Sequence, residues 1–238
     1  MKQRGFAQGI FEQSSSRKEL LGEKRMDHLG DVWVYARCGT TAIPAGRLTV
    51  GVAIAVAHQN EVITTAYAIG SKVLDVTVTA GTAIVADELK GGQFIINDAT
   101  GEGHSYEIDS NTAITTATTG VSITLKRGLK VALDTTSEFT LVRPKVYGAI
   151  QSTTQTLPII GVTPIAVTPN YYFWARRSGV CGILTDTTTT TTGALFAQGG
   201  SVGGTVTVST NSDTIPDLGQ CLYAAAASEY SVCDLWLE

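Results

Sequence analysis

Charge is what this sequence has least of: 16% of its 238 residues are Asp, Glu, Lys or Arg, against roughly 25% in an average soluble domain. With a net charge of −4, the chain lacks the basic face that a general nucleic-acid binder needs to displace counterions from phosphates. No run of apolar residues reaches the roughly 18 that a membrane-spanning helix requires, so none is expected. The opening MKQRGFAQGIFEQSSS has a charged start but no continuous apolar stretch, so no export signal is expected. The four cysteines, Cys38, Cys181, Cys221 and Cys233, lie 143, 40 and 12 residues apart, with no CxxC pair. Only His28, His58 and His104 could add imidazole, and they are scattered, which argues against a zinc site. Reduced, partly buried thiols in a protein made in a cytosol are the expectation. No amphipathic run of 12 or more residues lies between Asp31 and Thr156. Folds built on parallel sheets need crossover helices, so that absence disfavours them.

Thr, Ala, Val and Gly dominate instead, and 43% of the chain is hydrophobic, enough to bury a sizeable core. LTVGVAIAV, residues 48–56, alternates strictly: Leu48, Val50, Val52, Ile54 and Val56 share one face, with Thr49, Gly51, Ala53 and Ala55 on the other. Further strands are expected at 32–39, 61–68, 73–79, 93–97, 104–109, 121–125 and 139–142. Their spacing and the turn residues between them mark an all-β fold, an antiparallel sandwich or barrel. The pattern restarts after residues 143–156 with LPIIGVTPIAV, NYYFWARRSGVCGILT, ALFAQ, TVTVS, QCLYAAAA and VCDLWLE. The expected organisation is therefore an extended N-terminal arm over 1–30, a β domain over 31–150, and a second β region over 151–238. That last region either stands alone or closes onto the first. WVYARCGT (33–40) and FWARRSGVCG (173–182) echo one another, as two related small β units would.

Residues that could carry chemistry do not assemble into a reaction. ATGEGHSYEID (99–109) has the glycines of a phosphate loop but leads into a strand rather than a helix, so a hairpin with QFIIN and HSYEID as arms is expected. His104 with Glu102, Glu107 and Asp109 has no nucleophile turn beside it. Asp87, Glu88, Asp98 and Glu102 lack the regular spacing of a calcium loop and read as turn carboxylates. TDTTTTTTG (185–193) reads as an exposed loop or hairpin. No catalytic residue, cofactor or metal ligand is assigned, and the chain is not expected to be an enzyme.

Two stretches stand out as candidate contact surfaces. Residues 1–25 carry six basic against three acidic side chains, a local +3 that suits either an acidic protein surface or a solvated terminus. Lys2, Arg4, Phe6, Phe11, Arg17 and Lys18 are its candidate contact residues. In YYFWARR (171–177), alternation places Tyr171 and Phe173 on one face of a strand and Tyr172 and Trp174 on the other, one pair filling the core. Arg176 and Arg177 point to opposite faces. Arginine and aromatics anchor interfaces, which makes Tyr172, Trp174, Arg176 and Arg177 candidates, although an ordinary strand with snorkelling arginines fits equally.

The succession GDVWVYARCGTTAIPAGRLTV, LKGGQFIINDATGEGHSYEIDSNTAI, SEFTLVRPKVYGAI, YYFWARRSGVCGILTDTT and GQCLYAAAASEYSVCDLWLE resembles a group of tailed-bacteriophage virion proteins. These are the small β-rich capsid decoration or cement proteins and related minor head proteins. The resemblance spans about residues 30–238, through patterns of glycine, aromatic and apolar residues rather than catalytic motifs. It implies a structural protein on the outer capsid surface of the virion, assembled in the host cytoplasm, that bridges and stabilises capsomers. Its implied partners are the major capsid protein and copies of itself, as a trimer or another homo-oligomer, with no direct nucleic-acid or membrane contact. Alternatives are a tail or receptor-binding β protein, a major coat protein, for which the chain lacks a long spine helix, and a small β-fold hydrolase, for which it lacks an acid, base and nucleophile.

Overall fold

The computed structural model describes residues 5–117, 119–210 and 215–237. Among these, a single 3-10 turn at Val56–His58 is the only helical element, and the protein is all-β with almost entirely antiparallel sheets. Three strands come first: β1 (Lys24–Met26), β2 (Val32–Cys38) and β3 (Leu48–Val50). Six more follow: β4 (Glu61–Val62), β5 (Val73–Thr77), β6 (Gln93–Asp98), β7 (Ser105–Asn111), β8 (Gly120–Leu125) and β9 (Glu138–Val142). The remainder are β10 (Tyr147–Ala149), β11 (Ile159–Val162), β12 (Tyr172–Arg176), β13 (Ser178–Leu184), β14 (Leu195–Gln198), β15 (Val206–Val208), β16 (Gly219–Tyr223) and β17 (Tyr230–Trp236).

The strands sort into two compact units, one made of Met1–Val52 with Lys145–Glu238 and the other of Ala53–Pro144. This differs from the 31–150 and 151–238 halves expected from composition. The reason is long-range pairing: β2 lies antiparallel to β12, with Tyr35 opposite Trp174 and Ala36 opposite Phe173, and β3 pairs with β11. Strands from the two ends of the chain thus build one unit, and Ala53–Pro144 is an insertion between them.

In the inserted unit the sheet order is β4-β9-β6-β7-β8-β5, every neighbour antiparallel. Alternating positions point inward, including Leu74, Val76, Phe94, Ile96, Tyr106, Ile108, Ile123, Phe139 and Leu141, and they form one core. Phe94 and Phe139 stack at its centre with ring centroids 5.0 Å apart. Each such side chain contributes about 1.5–3 kcal/mol by leaving water. The loops after β4 and β8 then nearly close the sheet into a barrel. Tyr67 and Leu133 exchange backbone hydrogen bonds of 2.9 Å, and Leu129 N–H donates to Ser71 O at 3.0 Å. The strand expected over 61–68 is accordingly two residues long, because the chain from Ile63 onward turns to make this closure. The expected hairpin is present: β6 and β7 pair with Phe94 opposite Tyr106, and Gly101 and Gly103 take left-handed φ values of 93° and 81° in its loop.

The other unit carries two sheets. One has the order β1-β2-β12-β11-β3, with β10 added parallel to β2; the second runs β13-β17-β16-β14-β15. The echo between residues 33–40 and 173–182 does not mark two separate units: Trp33–Ala36 and Phe173–Arg176 are antiparallel neighbours in the first sheet, and residues 178–182 pass into the second. A local device also recurs in both units: an apolar residue in an isolated bridge, a turn, then a strand. Ile43 pairs in this way with Val167, Tyr67 with Leu133, and Ile84 with Ile114.

Two further stretches depart from their expected strand patterns. Over 48–56 the strand stops at Val50, because the backbone at Gly51 passes so close to Lys145 that a Cβ would lie 2.6 Å from its carbonyl oxygen. Residues 170–185 form two strands in two sheets rather than one, broken at Arg177, whose N–H donates to Val32 O at 2.7 Å.

Candidate functional site

The aromatic stretch and the N-terminal segment meet in one layered arrangement. On one face of β2 and β12, Phe173 joins Val34, Ala36 and Ile160, with Tyr171 packed beside them. On the other, Trp33, Tyr35 and Trp174 are all fully buried, covered by Phe6, Ile10 and Leu21. Alternation therefore separates the aromatic faces correctly, but both faces are core. The expectation that Trp174 and Tyr172 lie at a contact with another chain is corrected for Trp174, which is buried, and Tyr172 is half-buried. Residues 5–23 supply the missing layer.

That segment is docked, not extended away from the fold. Phe6 meets Trp174 edge-on with centroids 5.2 Å apart, and the Arg25 guanidinium sits 5.0 Å above the Phe6 ring. Buried Gln8 accepts from the Tyr35 hydroxyl at 2.7 Å, donates to Tyr172 O at 3.0 Å, and offers its carbonyl to the Trp174 indole N–H at 3.0 Å. Ser14 and Tyr172 exchange backbone bonds of 3.0 and 2.8 Å. The segment then leads into β1, which pairs with β2 over Lys24–Met26. Phe11, Arg17 and Lys18 remain exposed, whereas Lys2 and Arg4 lie outside the described residues.

The two arginines part at the break between sheets. Arg176 pairs with Asp31 at 2.9 Å and lies 4.4 Å above the Trp33 ring. Arg177 is buried, and its guanidinium donates to Ile160 O at 2.8 Å and Ile159 O at 3.3 Å. Neither is a snorkelling surface arginine, and Arg177 is held largely inside the fold. Gly179 follows with φ 91°, where a Cβ would collide with the Asp31 carboxylate. Only glycine can stand there while Asp31 holds Arg176.

Sequence reasoning missed the outer face of β13, β17 and β16. Residues opposite one another across antiparallel strands share a face. Trp236, Asp234, Val232 and Tyr230 of β17 thus align with Ser178, Val180, Gly182 and the buried Leu184 of β13, and Asp234 and Val232 also with Gln220 and Tyr223 of β16. Tyr223 is 67% exposed, Trp236 52%, Tyr230 51%, Val180 50% and Val232 37%, with Leu222 at the adjoining bulge 45% exposed. The signal was in SVCDLWLE, where both alternating faces carry large apolar residues.

The inner face of the same strands holds a row of thiols. Cys181 lies opposite Cys233, and Cys233 opposite Cys221. Cys221 directs its N–H and C=O toward Ala194 and Gly193, away from β17, so Cys221 and Cys233 form a non-hydrogen-bonded pair, the closer of the two antiparallel spacings. All are free thiols. Burial pushes the Cys181 thiol up to about 12 and raises Cys233 as well, with Cys221 and Cys181 beside it adding to the effect. Spacings of 40 and 12 residues concealed this row until register was known.

Other polar clusters resolve into structural roles. His104 Nδ1 donates to Gly101 O at 2.9 Å, Glu107 pairs with Lys126 at 2.8 Å, and Asp109 lies 4.0 Å from Lys90. Glu88 binds Arg143 at 2.9 Å and accepts from Val85 N–H. The threonine run is less exposed than expected: Thr185, Asp186 and Thr190 are buried, Asp186 accepting from Ser201 and Val202 N–H and Thr190 sharing a 2.6 Å bond with Ser231. Among the described residues no group of three or more His, Cys, Asp or Glu could hold a metal, and no helix is long and apolar enough to cross a membrane. Comparison with protein-family models, curated proteins and solved structures gives no match.

Proposed function

We propose that this chain is a structural virion protein, a decoration or cement protein that sits on the outside of a tailed-bacteriophage head and stabilises neighbouring capsomers. The observation that carries the assembly role is the uncovered apolar face of β13, β17 and β16. With about 150–250 Å² for a whole aromatic side chain, its three aromatics and three aliphatics present on the order of 500 Å². That is the upper range of what single chains leave exposed and a large part of the roughly 800 Å² per partner in a standard interface. The occupant we assign is a second copy of this chain: the face carries one charge, Asp234, so it offers a partner apolar area rather than charge complementarity. Clustered copies on a symmetric shell then gain avidity from contacts that are individually modest.

The sequence resemblance supplies the capsid side of the reading. Exposed Phe11, Arg17 and Lys18 on the docked N-terminal segment are our proposed contact with the major capsid protein. The deciding experiment measures mass by light scattering and occupancy on purified heads, for the native chain and for Trp236→Glu with Tyr223→Glu. An oligomer that the double substitution breaks, and heads that release DNA at lower temperature without the protein, are the expected results. A monomer at all concentrations that leaves head stability unchanged would refute the proposal.

A further inference from the structure

We propose that the cleft between β7 and residues 126–130 of the inserted unit binds a tetrahedral oxyanion, a phosphate or sulfate group, free or as a sugar monoester. The cleft has a volume of about 330 Å³ and is lined by Ser105, Tyr106, Lys126, Arg127, Lys130 and the His104 ring, among others. That volume lies at the small end of the roughly 300–1,000 Å³ typical of small-molecule sites.

Charge placement is the first argument. The unit Ala53–Pro144 is acidic, with ten Asp and Glu against six Lys and Arg, yet three of those six cations fall within five residues here. Lys126 is paired with Glu107 at 2.8 Å. Among the described residues neither Arg127 nor Lys130 has a carboxylate partner. Both line the cleft, so an anion seated there lies within reach of two cations that have no other charge partner among the described residues.

Rigidity is the second. Lys126 N–H donates to Glu107 O at 2.9 Å, Leu129 N–H to Ser71 O at 3.0 Å, and Lys130 N–H to the Tyr106 hydroxyl at 3.1 Å. Leu129 is buried, and a Cβ on Gly128 would lie 2.4 Å from Gly70 O. The loop is therefore held in one conformation, and little ordering remains to be done when a ligand arrives.

Donor chemistry sets the ligand class. Arg127 offers a planar fork, Lys130 a point charge and Ser105 a hydroxyl, three kinds of donor that suit the several oxygens of a phosphate or sulfate. The His104 ring lies nearly parallel to Tyr106, 13° between planes with centroids 6.3 Å apart, and its Nδ1 proton is committed to Gly101 O. Nε2 is the polar ring atom left over, and the ring face gives a sugar an apolar surface.

The test is an amide-resolved NMR titration of the full chain with inorganic phosphate, inorganic sulfate, glucose 6-phosphate and glucose 6-sulfate at low salt. Saturable shifts confined to residues 104–107 and 126–130 are expected, weakened at least about tenfold by Arg127→Gln with Lys130→Gln, as loss of charge-assisted bonds predicts. Lys72→Gln, a cation of the same unit outside the cleft lining, leaves affinity unchanged. Tighter binding of the sugar esters assigns the ring face a role, and equal binding defines a bare oxyanion site; both support the proposal. No saturable shift with any of the four, or equal affinity in the double variant, overturns it. The outcome is independent of whether the chain decorates a capsid.

Discussion

The indole N–H of Trp174 donates to the main-chain carbonyl of Gln8 at 3.0 Å, joining residues 166 positions apart. Through that bond and the Phe6 ring, the segment before β1 completes the core on one face of β2 and β12 rather than waiting free for a partner. Deleting residues 1–23 is therefore expected to expose Trp33, Tyr35 and Trp174, lower the melting temperature and produce dye-binding apolar surface. Trp174→Ala is expected to cost about 3–5 kcal/mol in chemical denaturation, the range for emptying a large aromatic site. A truncated chain that melts with the intact one would show the segment to be a mere appendage.

Asp31 and Arg176 are 2.9 Å apart with side chains only 16% and 17% exposed, so their pairing is not of the weakly contributing surface kind. The guanidinium also covers the Trp33 ring and donates to Val180 O. A double-mutant cycle with Asp31→Asn and Arg176→Gln is expected to give a coupling of about 1–2 kcal/mol, as for contacting residues in one network. Gly179→Ala should be more damaging than either, since its Cβ meets the carboxylate and its φ of 91° is left-handed. Urea unfolding of the four variants measures both claims.

Strand positions were legible wherever one alternating face was largely polar, as in β5, β7 and β8, where burial follows the sequence pattern except at exposed Val73 and buried Asn111. Long-range partnership was not. Nothing local says that Tyr35 lies opposite Trp174 while residues 53–144 fold apart, because a strand's period fixes its faces and leaves its neighbour unspecified. The aromatic stretch misled for a related reason: two apolar faces predict two covers, and one of those covers, Phe6 with Ile10 and Leu21, came from a segment whose glycines and charges read as solvated. Arg177 illustrates a third gap. A buried guanidinium that donates to main-chain carbonyls has no side-chain signature, so alternation alone placed it on a surface.

The cysteine row has a measurable consequence. Burial holds the Cys181 thiol at about 12, above its ordinary 9.0, and raises Cys233 and Cys38 for the same reason. Since the thiolate is the reacting form, the native protein at pH 8 is expected to label slowly with a thiol reagent, and all four thiols should react promptly once the chain is unfolded. Folding favours the protonated thiol, so this stabilisation is complete below about pH 9 and is lost as pH rises toward 12. Cys181→Ala with Cys233→Ala should flatten the alkaline decline relative to the native chain. Rapid native labelling of three thiols at pH 8 would be the contrary result.

His58 sets the opposite limit in the inserted unit. It is buried in the 3-10 turn, its Nε2 has no hydrogen-bond partner, and burial lowers its pKa below the ordinary 6.5. Arg143 pushes in the same direction, while Glu88 and Glu61 oppose it. Because the folded state binds the proton less well than the unfolded one, the neutral ring's contribution is whole above about pH 6.5 and disappears as pH falls from there through the lowered folded value. Urea midpoints taken from pH 7.5 down to 5 should therefore fall more steeply in the native chain than in His58→Leu. Leucine removes the titration and, with no hydrogen bond to lose at Nε2, is expected to change stability by less than about 1.5 kcal/mol at pH 7.5, as tolerated core substitutions do. Parallel pH profiles for the two proteins would mean that His58 is hydrated and titrates normally in the folded state.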